Sequence, residues 1–204
     1  HVVRAEQHCG AGDLVEGVER LRQPQHDEHE QHQPAGTALK SEVHTEATPL
    51  HLAFSCHVLN PEGQVLVTRR ALSKRTWPGV WTNSFCGHPG PGEATADAVM
   101  RRAEFELGIP ADALSNLRVV LPNFSYRAVD SSGLVENEIC PVYCVELDSQ
   151  AQWQPNPDEV DSWEWVDPAR LIAAADAVPA VFSPWMCEEL AEAELRAALQ
   201  SLAQ

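Results

Sequence analysis

A chain of 204 residues, 44% of them apolar, can bury one substantial core and leaves little room for a second. Its formal net charge of -16 opposes binding to nucleic-acid phosphates over most of the surface, so an anionic ligand must find a local basic pocket. No stretch approaches the roughly 18 consecutive apolar residues of a membrane span, and residues 1–50 lack the apolar core of a signal peptide, so a cytoplasmic protein without membrane or nucleic-acid partners is expected.

Residues 1–33 are polar and His-rich, and the run from Gln23 to His32 has no apolar face at the helical or the strand period. A disordered, dispensable tail is expected there, followed by one domain over 34–204. Residues 51–59 and 64–68 are apolar or β-branched runs separated by Asn60-Pro61-Glu62-Gly63, which predicts a hairpin. Residues 81–85 predict a short strand, and residues 94–107 a helix stopped by Gly108. Further strands are expected over 117–126, 134–147 and 161–166, then a helix capped at Asp167-Pro168. Ser183-Pro184 opens one last helix, along which Cys187, Ala191, Leu195, Ala198 and Leu202 recur on one face. This order predicts a single α/β (α+β) domain, a mixed β-sheet flanked by helices. The six cysteines have no paired spacing and are expected as reduced thiols.

Several clusters carry chemistry. Arg69-Arg70 and Lys74-Arg75 concentrate cations in an acidic chain, and guanidinium forks match phosphate oxygens. Solvated gatekeeping at a strand end would give the same pattern. Glu136 and Glu138, two apart in an apolar run, would share one strand face, where their repulsion calls for a cation or a shared proton. With His44, His51 and His88 they would suit a borderline ion such as manganese or zinc, although structural histidines and a solvated acidic face have the same spacing.

Gly87-x5-Glu93-x7-Arg101, continued by Arg102-Ala103-Glu104-Phe105-Glu106-Leu107-Gly108, resembles the Nudix box, a loop and helix that bind diphosphate through a divalent cation. Arg102 and Phe105 stand where Nudix hydrolases carry glutamates, which leaves Glu106 as the cation ligand and weakens a hydrolase reading. The segments Thr68 to Lys74, Trp77 to Ser84, Cys86-Gly87-His88, Glu136-Asn137-Glu138 and Ser183-Pro184-Trp185-Met186 are similar to type 1 isopentenyl-diphosphate isomerases. The resemblance spans residues 36–186 and implies a single Nudix-like domain that turns isopentenyl diphosphate into dimethylallyl diphosphate, a small-molecule step of isoprenoid biosynthesis. It implies His44, His51, His88, Glu136 and Glu138 as ligands of one manganese or zinc ion, and Glu106 as the holder of magnesium on the diphosphate. It further implies Lys40, Arg70, Lys74 and Arg102 as substrate contacts, Cys86 and Glu138 as the proton-handling pair, and Tyr126 and Trp185 as the rest of the catalytic pocket. Members enter the Gly36 region from an apolar strand, so the polar residues ahead of it predict that a first strand is missing. The alternative is a Nudix hydrolase acting on a diphosphate substrate.

Overall fold

The computed structural model describes residues 14–20, 32–39 and 44–202. Its larger sheet is built on the hairpin predicted from the Asn60-Pro61-Glu62-Gly63 turn, β4 (Phe54–Leu59) and β5 (Val65–Arg70). Around it lie β12 (Val160–Val166), β11 (Val142–Leu147) and β8 (Leu114–Leu121), in the order β12-β5-β4-β11-β8, with β4 and β11 parallel. The short strands β6 (Trp81–Thr82) and β7 (Phe85–Gly87) pair with β5 and β4, so the single strand expected over 81–85 is two. The second sheet runs β2-β1-β3-β10-β9, from β1 (Leu14–Arg20), β2 (His32–Leu39), β3 (His51–Leu52), β10 (Val135–Ile139) and β9 (Ser125–Val129).

Strand β1 lies within the stretch expected to be a polar tail. It pairs with β2 along its length and with β3 at Gly17↔His51, and its Leu14, Val15 and Val18 set it apart from the polar run of Gln23 to His32. The strand predicted to be missing is therefore supplied from within that stretch. Residues 1–13 and 21–31, including most of the His-rich run, lie outside the described residues. Deleting residues 1–33 should lower the melting temperature and the retained metal, because β3 would lose its neighbour beside His51. Unchanged melting and metal content after that deletion would restore the dispensable-tail view.

Alternation along the central strands sorts side chains to two layers. Phe54, Cys56, Val58 and Leu66 pack with Ala98, Val99, Ala103 and Leu107 on the face covered by α1 (Thr95–Arg102). Val65 and Val67 pack on the opposite face with Leu171, Leu190, Leu195 and Leu199 from α2 (Pro168–Ala177), α3 (Pro184–Ala191) and α4 (Ala193–Leu202). Asp167 caps α2 as its sequence predicts, accepting the Arg170 backbone N–H at 3.0 Å. The single last helix expected from Ser183 is broken at Glu192, whose ψ of 128° is extended. Arg196 donates to the Leu190 carbonyl and pairs with Asp176 at 2.6 Å, which satisfies a backbone group that the break exposes. Beneath α3, His57 of β4 and Glu189 form a fully buried pair at 2.9 Å, fixing the helix to the sheet one turn beyond Trp185.

The helix predicted over 94–107 is α-helical only to Arg102. Residues Ala103–Leu107 form a widened π-helical turn, a departure common at functional sites. Gly108 ends it at φ 66°, as expected, and a Cβ there would collide with the Gln154 carbonyl oxygen.

Candidate metal centre and diphosphate cavity

Strand pairing builds the metal set. The parallel register of β3 and β10 puts Glu138 opposite His51, and the β7 end delivers His88. His44 sits at a turn held by Thr45 and Thr48, whose carbonyls accept from the Val135 backbone N–H at 2.9 Å and the Asn137 side-chain amide at 3.2 Å. One oxygen of Glu138 lies 3.0 Å from His88 Nε2, 3.4 Å from His51 Nε2 and 3.9 Å from His44 Nε2. All four donor atoms fall within 4.8 Å of one another. His51 Nδ1 donates to the Pro49 carbonyl at 2.9 Å, which leaves a bare lone pair on Nε2 facing the cluster. His51 Nε2 and His44 Nε2 are buried without a hydrogen-bond partner. Unsatisfied buried imidazole nitrogens converging on one carboxylate fit a divalent ion, and the mixed nitrogen and oxygen set suits a borderline one. Burial would raise the pKa of Glu138, but the three imidazoles outweigh it and hold the carboxyl well below its usual range.

Glu136, the fifth expected ligand, lies just outside this group of four converging donor atoms. It shares a face of β10 with Glu138, as the two-residue spacing predicts, but Thr76 donates to one of its oxygens at 2.7 Å and Tyr126 to the other at 2.7 Å. Tyr126, opposite Glu138 on β9, also reaches Glu138 at 2.9 Å, so one phenol bridges both carboxylates. Burial, then the charges of Glu136 and Glu138, push the Tyr126 pKa well up and keep its proton in place.

These groups open on a cavity of about 440 Å³ that is also lined by Cys86, Trp185, Arg70, Lys74, Arg75, Arg102 and Glu106. The basic cluster divides within it. Arg70 is held by the Thr76 carbonyl at 2.9 Å and stands over the Trp185 ring at 5.3 Å, a contact worth about 2 kcal/mol when desolvated. Arg69 turns away to Gly79 and Asp161. Lys74 pairs with Glu159, which also lies 3.7 Å from Arg102. Glu159 went unnoticed in the sequence, where only its place before β12 marks it. Arg102 and Glu106 pair across the π-helical turn, and Arg102 lies over the exposed ring of Phe105 at 4.7 Å. Arg101 and Glu93, the other charged Nudix-box positions, bind each other at 2.7 Å outside the cavity lining and anchor the loop at Gly90. Lys40 lies outside the described residues.

At the reacting end, Trp185 is buried at 1% exposure and packs 5.7 Å from Tyr126 and edge-on to Trp77 at 5.3 Å. Trp77 adopts φ 43°, a left-handed conformation that costs a bulky residue on the order of 1–3 kcal/mol. Burial, followed by the negative charge of Glu189, lifts the Cys86 pKa well above the ordinary thiol value, so Cys86 carries its proton at neutral pH. The five described cysteines are all free thiols, and no helix among the described residues is long and apolar enough to cross a membrane.

The family model described as NUDIX domain matches residues 49–186. A Kocuria rhizophila protein named isopentenyl-diphosphate Delta-isomerase is 62% identical over 170 residues, covering 83% of this chain and 92% of its own. A Corynebacterium glutamicum protein of the same name is 55% identical over 166 residues, covering 81% and 88%. A crystal structure of a Deinococcus radiodurans protein matches with a TM-score of 0.57 at 20% identity, covering 94% of this chain and 99% of that one, a likeness of fold alone.

Proposed function

This chain belongs to the Nudix family, in its isopentenyl-diphosphate Delta-isomerase branch, and from that premise we propose that Cys86 and Glu138 are the two proton carriers of the isomerisation. The chain isomerises isopentenyl diphosphate to dimethylallyl diphosphate in isoprenoid biosynthesis. The observation that carries the assignment is one cavity lined both by a protonated thiol and by a carboxylate bridged to a phenol, with arginines and a lysine on the rest of its wall.

Moving an unactivated double bond requires adding a proton to one carbon and removing a different proton from another, so an acid and a base must border one allylic unit. Cys86 offers a proton at its sulfur. The oxygen of Glu138 turned toward Tyr126 is placed to take one, and the Tyr126 hydroxyl can steady whichever oxygen is charged. Their order reverses with the direction of reaction. The face of Trp185 stabilises positive charge developing on the tertiary carbon, and its burial excludes water that would trap that charge.

Arg70, Lys74 and Arg102 hold the diphosphate on this reading, and an entering phosphate competes with Glu159 for Lys74 and Arg102. His44, His51, His88, Glu136 and Glu138 would hold manganese or zinc, four of them already converging, and Glu106 magnesium with the diphosphate oxygens, adequate for an ion that prefers few carboxylates. Bound there, such ions would supply charge neutralisation for Glu138 and for the diphosphate. Glu136 also orients Tyr126, which donates to it at 2.7 Å. Lys40 remains a proposed substrate contact. The catalytic domain is 34–204 extended by β1, and a cytoplasmic location suits its free thiols.

The test is incubation with isopentenyl diphosphate in heavy water. Deuterium should enter the hydrocarbon of dimethylallyl diphosphate while both phosphates stay attached. Release of inorganic phosphate in step with substrate loss would instead support the hydrolase alternative.

A further inference from the structure

Asn83 is fully buried between β6 and β7, and its side chain meets two of the groups assigned to the chemistry. Its amide nitrogen donates to the Phe85 carbonyl at 2.8 Å, the Cys56 carbonyl at 3.2 Å and the Ser55 hydroxyl at 2.8 Å. Its amide oxygen accepts from the Trp185 indole N–H at 3.0 Å and the Thr82 hydroxyl at 2.8 Å. A carbonyl can only accept and an indole N–H can only donate, so these partners fix which end of the amide is which. Cys86 Sγ stands against both ends, 3.3 Å from the oxygen and 3.2 Å from the nitrogen.

That double contact matters for a residue that changes protonation state in every turnover. A thiol S–H needs an acceptor, which the amide oxygen provides. A thiolate needs a donor, which the amide nitrogen provides by shifting one N–H from its shared carbonyl partners. We propose that Asn83 is a positioning residue of the reaction, holding Cys86 in one place through both protonation states and fixing the Trp185 indole with the same amide. The proton passes between the Cys86 sulfur and substrate carbon, and Asn83 neither gains nor loses one. The inference rests on Cys86 as a proton carrier.

Two substitutions separate the two ends of the amide. Asn83→Asp keeps an acceptor for Trp185 Nε1 but loses the N–H donors, and loss of a hydrogen bond to a charged group corresponds to roughly ten- to hundredfold in rate. Its kcat should fall by that factor while KM stays nearly unchanged and the Trp185 indole proton resonance keeps its position. Asn83→Leu loses both ends, so its kcat should fall at least as far and the indole resonance should move upfield. Folded Asn83→Asp or Asn83→Leu with parent kcat overturns the proposal, as does a variant whose only change is a lower melting temperature. Should neither variant fold, Cys86→Ala in the zinc-loaded protein carries the test. Removing the sulfur must displace the Asn83 side-chain amide resonances, and unmoved resonances overturn the proposal. An active Cys86→Ala would sink the underlying proton-carrier assignment. An inactive Cys86→Ala beside Asn83 variants of parent kcat would sink this inference alone.

Discussion

Cys86→Ala is expected to lower kcat by about a hundredfold or more, the range for losing a positioned acid or base, while KM for isopentenyl diphosphate stays within a few fold. The split follows from the layout of the cavity. Burial and the nearby Glu189 charge keep the Cys86 proton on sulfur, so the thiol is loaded before substrate arrives. Alanine leaves no group at that wall able to give or take the proton. The proposed diphosphate contacts do not include Cys86: Arg70 is oriented by Thr76, and Lys74 and Arg102 by Glu159 and Glu106. Steady-state kinetics and deuterium incorporation read the result together. Turnover near that of the parent would remove Cys86 from the mechanism even if the chain remains an isomerase.

Glu138→Gln should cost more, because this side chain has two tasks. One oxygen is the point on which His44, His51 and His88 converge, and the other receives the Tyr126 hydroxyl. A neutral amide weakens the electrostatic part of metal binding and cannot take up a proton as a carboxylate does. Elemental analysis after dialysis should find the variant depleted of its transition metal. Its melting temperature should also fall, since an ion present at a thousandfold above its Kd stabilises the fold by about 4 kcal/mol. Glu136→Gln should deplete the ion as well, as expected for a fifth ligand that Thr76 and Tyr126 hold beside Glu138. Equal metal content in Glu138→Gln and the parent would dissolve the four-residue centre. Equal metal content in Glu136→Gln and the parent would remove Glu136 from the ligand set.

The sequence exposed what depends on local periodicity and left hidden what depends on pairing between distant segments. Alternation placed Glu136 and Glu138 on one face of β10, but the bonds that Thr76 and Tyr126 make to them come from distant segments. The hairpin at Asn60 to Gly63, the Asp167 cap and the Gly108 stop were legible because each is set within a few residues. The break at Glu192 was not. The periodic residues of 184–202 suit one continuous helix, and the compensating contact of Arg196 with Asp176 comes from another element. Strand β1 was hidden for a related reason, since Leu14–Arg20 is short and its pairing with β2 and β3 is not written in the local sequence. Asn83 stood inside a recognised motif, yet its importance rests on Cys86 and Trp185 meeting at one amide.

The parallel pairing of β3 with β10 has a consequence for how the chain folds. His51 and Glu138 come from opposite halves of the domain, with the hairpin of β4 and β5, helix α1 and strands β8 and β9 between them. Closing such a loop carries an entropic penalty before any contact rewards it, and folds dominated by these non-local pairings form slowly. The candidate ligands His51 and Glu138 therefore do not come together until that long-range pairing is made. Metal capture must follow assembly of the sheet rather than nucleate it, so added ion should slow unfolding far more than it speeds refolding.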